Sequence, residues 1–247
     1  MAYVRDYTVN NSETRTFEQS VAAVYRHMYG WMTCGLALTA LTSFVLFNYL
    51  NHHLDAWSWF FSETGGLGPA MWISMIGSFA IVWILSARVM SMSFSSASLM
   101  FALYSCVMGV WITPLLSIYT GESVFQVFLI TAGTFGGMAV FGHVTKKDLT
   151  GMGRFLIMAL WGIIIASIVN IFMHLGWMNF GISVLSVLVF CGLTAYDVQK
   201  FKGYILSYEG GADDMVRKIA VLGALSLYMD FLNIFIHLLS ILGSRRD

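Results

Sequence analysis

Two aspartates lie inside long apolar segments, where a charged side chain is energetically unfavourable. Asp230 stands near the middle of the run ALSLYMDFLNIFIHLL, residues 224–239, and Asp197 stands in LTAYDVQK. A carboxylate at the centre of a bilayer costs about 2.5–3.5 kcal/mol even on insertion-based scales. Each aspartate therefore needs a partner or a proton, and both are candidates for chemistry.

If the two aspartates meet, they form a site of a specific kind. Two carboxylates in poorly hydrated surroundings cannot easily both ionise, so the pair would titrate as a unit. The pair could hold a proton, or a hard cation such as Ca²⁺ that prefers oxygen ligands. Spacing alone leaves another interpretation open, because Lys200 lies three residues after Asp197 and a simple interfacial ion pair would also explain that carboxylate. For the aspartates to meet, the seventh segment must begin in the cytosol or the sixth must be tilted or shifted.

The residues around Asp230 form a polar stripe. Small and polar residues follow one another there at steps of three or four: Gly223, Ser226, Asp230, Asn233, His237 and Ser240. At helical spacing these share one face, which cannot point at lipid and must face other helices or water. Ser226, Asn233 and His237 are therefore candidates to line a pathway.

Arg88 is the basic residue of the second apolar segment, towards the same predicted membrane face as Asp197. It could pair with a deprotonated carboxylate and act as a latch that closes the pathway. An ordinary basic flank of a membrane span is an equally consistent interpretation.

The composition requires that these residues be placed by membrane helices. The chain has 247 residues, 58% hydrophobic and 11% charged, with a mean hydropathy of +0.74. These values are typical of an integral membrane protein, and the zero formal net charge gives no indication of a nucleic-acid partner. Apolar runs long enough to span a bilayer lie at Tyr29–Leu50, Ala70–Met90, Ser96–Tyr119, Ser123–Val144, Arg154–Leu175, Trp177–Gln199 and Arg217–Leu242.

The predicted organisation is a polar N-terminal tail, residues 1–28, followed by one seven-helix transmembrane domain, residues 29–247. The tail mixes acidic and basic residues and does not resemble a signal peptide. All Lys and Arg residues before Arg245 fall on one side of the predicted membrane, which indicates a cytoplasmic N-terminus. Arg245 and Arg246 would be exceptions if the last segment spans fully. A full span is favoured by its length, and a re-entrant helix remains the alternative.

Two further patterns predict packing. Gly133 and Gly137, in the fourth span, have the spacing of a close helix–helix contact. The three cysteines lie in different apolar runs without metal-ligand spacing, so they are interpreted as core residues: Cys34, Cys106 and Cys191. No resident cofactor is expected.

The segments ALSLYMDFLNIFIHLL and LTAYDVQK together resemble the paired signature of the Bax inhibitor family, also called the lifeguard family. The stretch TAGTFGGMAVFGHVTKKDLTGMGRF is similar to the family's fourth-to-fifth helix connection, and the similarity runs from Met28 onward. The resemblance implies an all-α membrane fold of seven helices, with the last helix central and surrounded by the other six. It also implies a pH-sensitive Ca²⁺ leak governed by two aspartates that map onto Asp197 and Asp230, with Arg88 the available candidate for an arginine that closes the pathway.

Other functions fit parts of the sequence. Bacterial members of the family are associated with an inner-membrane protease as modulators, which would make this chain a binding partner of a protease or quality-control complex. Paired intramembrane aspartates also occur in presenilin-like aspartyl proteases. The second aspartate here stands in LYMD, without the GxGD or PAL motifs of those enzymes, so a non-enzymatic function is predicted. Short loops and the absence of retention or lipidation signals favour a bacterial inner membrane.

Overall fold

The structure, a computed structural model, describes residues 11–62, 66–207 and 213–246. These residues form seven long α-helices, with a short 3₁₀ helix at Leu54–Trp59 after the first. The helices are α1 (Asn11–His52), α2 (Pro69–Arg88), α3 (Phe94–Ile118), α4 (Gly121–Val144), α5 (Thr150–Met173), α6 (Gly176–Ser207) and α7 (Asp213–Leu242). All seven are long and apolar enough to cross a membrane, which confirms the predicted fold class.

The predicted spans each fall on one helix, and α1 and α6 extend furthest beyond them. Helix α1 begins at Asn11, so part of the polar segment before Tyr29 is helical, while residues 1–10 lie outside the described residues. Helix α6 continues past Gln199 to Ser207. Its continuation, and the start of α7 at Asp213, carry both helices beyond the apolar region on the side of Lys200.

The helix ends follow local sequence signals. Ser93 and Thr120 cap α3 and α4, since each side-chain oxygen accepts a hydrogen bond from the backbone N–H three residues later. Pro69 opens α2, where its missing N–H is not needed. Helix α5 ends at Met173, and the next residue, His174, has a φ of 53°, a left-handed conformation more usual for glycine.

Helix α7 lies at the centre of the bundle. In its most apolar stretch 72% of the residues are buried, compared with 11% in α5. Tyr228 is completely buried, and its hydroxyl group hydrogen-bonds the Thr39 hydroxyl of α1 at 2.5 Å. A buried tyrosine hydroxyl requires such a partner, so this contact fixes the rotation of α7 against α1.

The ring around α7 is smaller than the predicted six helices. Helix α7 packs mainly on α1, α3, α4 and α6, while α2 packs on α3 and α5 packs on α6. The predicted close packing at Gly133 and Gly137 is also wrong, because a methyl group at either position would meet no atom of another described helix within 4 Å. Close contact occurs instead at Gly142, where an added Cβ would overlap the backbone of Ala195.

Helix α7 crosses the whole bundle. After its end, the backbone N–H of Arg246 donates to the carbonyl of Ile118 at 2.8 Å, and that of Ser244 donates to the Ser123 hydroxyl at 2.8 Å. The C-terminal residues are thus attached to the α3–α4 connection, at the end of the bundle opposite the α4–α5 connection. This excludes the re-entrant alternative. The basic end is defined here as the end with the α2–α3, α4–α5 and α6–α7 connections.

Candidate functional site

Asp230 lies in the core of the bundle, in the interior of α7. It is 5% exposed and is flanked along the helix by the buried side chains of Leu227, Phe231 and Ile234. Its Oδ2 atom has no hydrogen-bond partner among the residues that the structure describes. An ionised carboxylate with an unpartnered buried oxygen is very unfavourable, so this side chain needs a proton or a ligand.

Asp197 reaches the same region from α6, and the structure brings the two aspartates together. The charges of Asp197 and Asp230 act on each other, and the Ser226 hydroxyl of α7 hydrogen-bonds the Asp197 carboxylate. The side chain of Asp197 is 14% exposed, so it lies nearer to water than Asp230 does. The pair therefore has one fully buried member and one member close to the basic end.

The antiparallel register of α6 and α7 explains this meeting. Near the far end of the bundle, the Ser183 hydroxyl of α6 lies 3.4 Å from the Ser240 hydroxyl of α7. Proceeding along both helices in opposite directions brings Thr194 to Asp230 and Asp197 to Ser226. The extension of α6 to Ser207 meets the condition set by the sequence, because α7 begins well outside the apolar region.

Thr194 determines how Asp230 is hydrogen-bonded. Its hydroxyl group, completely buried, donates to the Phe190 carbonyl at 2.8 Å and also hydrogen-bonds the carboxyl group of Asp230. A threonine hydroxyl carries a single proton. Its donation to the Phe190 carbonyl and its bond to Asp230 therefore compete for one proton. A bond that Thr194 donates to Asp230 stabilises the ionised carboxylate, so this hydroxyl group influences the charge of the pair.

Lys200 is the cation beside the pair. Its ammonium nitrogen lies 3.9 Å from Oδ1 of Asp197 and within 6 Å of three aromatic ring centres, the closest being Phe201 at 5.6 Å. Both interpretations of Asp197 from the sequence therefore apply at once, since it neighbours Lys200 and Asp230. A 3.9 Å ion pair is a loose one, and partial exposure weakens it further.

Arg88 is not placed at the aspartates. It is an exposed residue in the last turn of α2, a peripheral helix that packs on α3. Among the described residues, the charged groups that act on the pair are the two aspartates themselves and Lys200. The predicted role of Arg88 as a latch would require a conformation other than this one. That role stays a prediction.

The other predicted residues lie along the α6–α7 interface. Nδ1 of His237 lies 3.4 Å from the Ser183 hydroxyl, whereas Asn233 donates to the carbonyl of Met229 in its own helix at 2.8 Å. Ser186 is completely buried, and its hydroxyl has no hydrogen-bond partner among the described residues. We call the set of polar side chains along this interface the polar seam: Ser183, Ser186, Thr194 and Asp197 from α6, and Ser226, Asp230, Asn233, His237 and Ser240 from α7.

Sequence reasoning missed the α6 half of this seam except for Asp197. The signal was present, since Ser183, Ser186, Thr194 and Asp197 are spaced like one face of a helix. Serine and threonine inside membrane helices usually bond their own backbone, so their pattern alone does not identify a site.

The donor set suits a transient ion better than a bound metal. No group of three or more His, Cys, Asp or Glu side chains converges among the described residues. Ca²⁺ usually takes six to eight oxygen ligands, whereas this site offers two carboxyl groups and the hydroxyls of Thr194 and Ser226. A cation at this position would therefore keep part of its water shell.

Comparison with known proteins places the chain in a family. Residues 21–247 match the family described as inhibitor of apoptosis-promoting Bax1. The inner membrane protein YbhL of Escherichia coli K12 is 35% identical over 226 residues, covering 89% of this chain and 90% of YbhL. Protein RP147 of Rickettsia prowazekii is 32% identical over 98% of this chain and 99% of its own length. A Deinococcus radiodurans protein is 35% identical over 96% of both chains. The chain is thus an integral membrane protein that belongs to the Bax inhibitor family.

Proposed function

We propose that this protein is a pH-sensitive cation leak pathway that carries Ca²⁺, gated by the proton held between Asp197 and Asp230. The observation that carries the proposal is the buried carboxyl group of Asp230, with one unpartnered oxygen and a second carboxylate beside it. Such a group has no structural need to be an acid, because an apolar residue would pack there at lower cost. A titratable side chain kept in the core of a membrane bundle is a functional-site hypothesis by default.

The seam supplies a route for the ion. Polar side chains follow the α6–α7 interface from Asp197 at the basic end to Ser240 near the far end. With the proton in place the pair carries one negative charge, which Lys200 partly balances. Loss of the proton leaves two like charges in close proximity, and their repulsion favours separation of α6 from α7 or entry of a cation. In this scheme Ca²⁺ is the transported substrate, held briefly by carboxylate and hydroxyl oxygens.

The basic end would face the cytoplasm, since the Lys and Arg residues before Arg245 were all assigned to that side. Asp197 is the more exposed member of the pair and would be the first to exchange protons with the cytoplasm. The leak would then respond to cytoplasmic pH.

The test is Ca²⁺ flux into liposomes that contain the purified protein, measured from about pH 6 to pH 8, a range that spans the titration of a shared proton. We expect a flux that changes with pH in the parent chain and loses this dependence in the variant with Asp197→Asn and Asp230→Asn. Asp55→Asn is the control, because Asp55 is an exposed carboxylate of the α1–α2 connection, outside the pair. A double variant with the parental pH profile would contradict the proposal. Absence of flux in every sample would favour the alternative of a protease modulator, with the aspartates as a structural pair.

A further inference from the structure

A second site lies at the basic end, outside the aspartate pair. The α4–α5 connection and the last turns of α6 line an open cavity of about 580 Å³. Four lysines line it, namely Lys146, Lys147, Lys200 and Lys202, with Tyr196 and Tyr204 beside them. Four cations around one cavity repel one another, so their convergence calls for a counter-charge.

The cavity has a fixed frame. Gln199 of α6 accepts a hydrogen bond from the backbone N–H of Leu149 at 2.7 Å, and its amide donates to the carbonyl of Lys147 at 2.8 Å. These two bonds hold the α4–α5 connection against α6. The positions of the lysines on both sides of the cavity are therefore set before any ligand arrives, which lowers the entropic cost of binding.

Few acidic side chains among the described residues balance the positive charges of the cavity lysines. Among the described residues, Lys146, Lys147 and Lys202 form no ion pair within 4.0 Å, and Lys200 has only its 3.9 Å contact with Asp197. The acid in the lining is Asp148, whose carboxylate accepts a hydrogen bond from the Thr150 N–H at 2.9 Å. The hydrogen bonds from Thr150 hold the pKa of Asp148 below its ordinary value, so it is ionised. Four lysines and one aspartate leave the lining strongly cationic.

Ordinary positive-inside flanks explain basic residues at this end, but not their convergence. Arg26 and Arg88 lie on the same end and are exposed, and neither of them lines this cavity. The four lysines are set apart from these two arginines by their position. Ammonium groups on flexible stems suit an anion of variable orientation, such as a phosphate.

We propose that this lysine cavity is a binding site for a phosphate-bearing anion, either the headgroup of an anionic phospholipid or a soluble phosphate compound. The lysine ammonium groups donate to the phosphate oxygens. Lys200 belongs to this cavity and also contacts Asp197, so a bound phosphate draws Lys200 away from the aspartate. This movement of Lys200 rests on the proposed function, because it links anion binding to the aspartate pair that gates the cation pathway.

Binding is tested with two probes. Inorganic pyrophosphate is titrated into the protein in phosphatidylcholine nanodiscs, which have no net charge. In the second arm the nanodiscs contain phosphatidylcholine with a minor fraction of phosphatidylglycerol, and the lipid retained by the released protein is counted by native mass spectrometry. The test variant is Lys146→Gln with Lys202→Gln. The control is Arg26→Gln with Arg88→Gln, which removes the same charge from exposed positions on the same end.

We expect the affinity for one probe to fall about tenfold or more in the lysine variant and to change less than about twofold in the arginine control. A loss confined to pyrophosphate identifies a soluble phosphate ligand, and a loss confined to phosphatidylglycerol identifies a lipid headgroup. Equal losses in both variants, or no binding of either probe by the parent, would overturn the proposal. Thermal unfolding of both variants is measured alongside, and Lys147→Gln serves as a single-charge replacement if the double variant is unstable.

The link to the gate has its own readout. In the flux assay, saturating amounts of the probe that binds should change the Ca²⁺ leak of the parent and leave that of the lysine variant unchanged. Binding without an effect on flux would contradict the coupling between the lysine cavity and the aspartate pair. The binding site itself would still be supported. A parent chain without any leak would refute the proposed function, and the binding result would stand independently of it.

Discussion

Replacement of Thr194 by valine isolates the hydrogen bond that this residue makes with Asp230. Valine has nearly the shape of threonine, so the completely buried site is not left with a cavity. The hydroxyl group that is lost bonds the Phe190 carbonyl and the Asp230 carboxyl group. Hydrogen bonds between membrane helices contribute about 0.6 kcal/mol on average, and bonds to strongly polar groups up to about 1.5 kcal/mol.

That free energy sets the size of the expected effect. Because 1.36 kcal/mol corresponds to one pH unit, the loss should move the midpoint of the pH-dependent flux by about half a unit to one unit. A hydroxyl group that donates to Asp230 stabilises the ionised carboxylate, so its removal favours the proton-bound state. The midpoint should therefore move to higher pH.

Thr131→Val is the matched control for this experiment. Thr131 is also completely buried, and its hydroxyl donates to the Val127 carbonyl at 2.8 Å in the same way, without a carboxyl partner. The Ca²⁺ flux of both variants is recorded in liposomes over the same pH series. A midpoint at lower pH would mean that Thr194 instead accepts a hydrogen bond from a protonated Asp230. That result, or a shift equal to the control's, would refute the expected direction of this hydrogen bond.

Two further predictions concern the frame of the site. Gly142→Ala should lower the thermal unfolding temperature and the yield of folded protein strongly, because the new Cβ would overlap the backbone of Ala195. Gly137→Ala, in the same helix, has open space and should change stability by less than about 1 kcal/mol; equal effects would show that α4 and α6 do not touch as described. Truncation after Leu242 removes the backbone bond from Arg246 to α3. Truncation should increase proteolysis at the α3–α4 connection. An unchanged digestion pattern would show that the bonds from the C-terminal residues do not stabilise this connection.

Much of the fold follows directly from the sequence. The apolar runs are long and separated by short polar connections, so the seven spans could be placed to within a few residues at most ends. The central position of α7 was implied by family resemblance and is consistent with its polar stripe, since a helix with polar residues on one face and apolar residues elsewhere must be enclosed. Asp197 and Asp230 could be identified from the sequence because a charged side chain is unfavourable inside an apolar span.

The periphery of the bundle was harder to predict. In lipid, a helix that faces its neighbours and one that faces hydrocarbon can both be apolar, so burial leaves little trace in composition. This is why Gly133 and Gly137 predicted a contact that the described helices do not make, while Gly142 makes one. It is also why the direct neighbours of α7 numbered fewer than the expected six.

The sequence by itself determined the membrane class, the spans, the family resemblance and the anomaly of Asp197 and Asp230. Only the tertiary structure decided that the two aspartates meet, that Thr194 bonds Asp230 and that Lys200, in place of Arg88, lies beside them. The physical reason is that helical periodicity fixes which residues share a face, but not the axial offset between two helices. A shift of one turn, about 5.4 Å, would exchange every partner along the α6–α7 interface. That offset is set by packing across the whole bundle, including the buried contact of Tyr228 with Thr39.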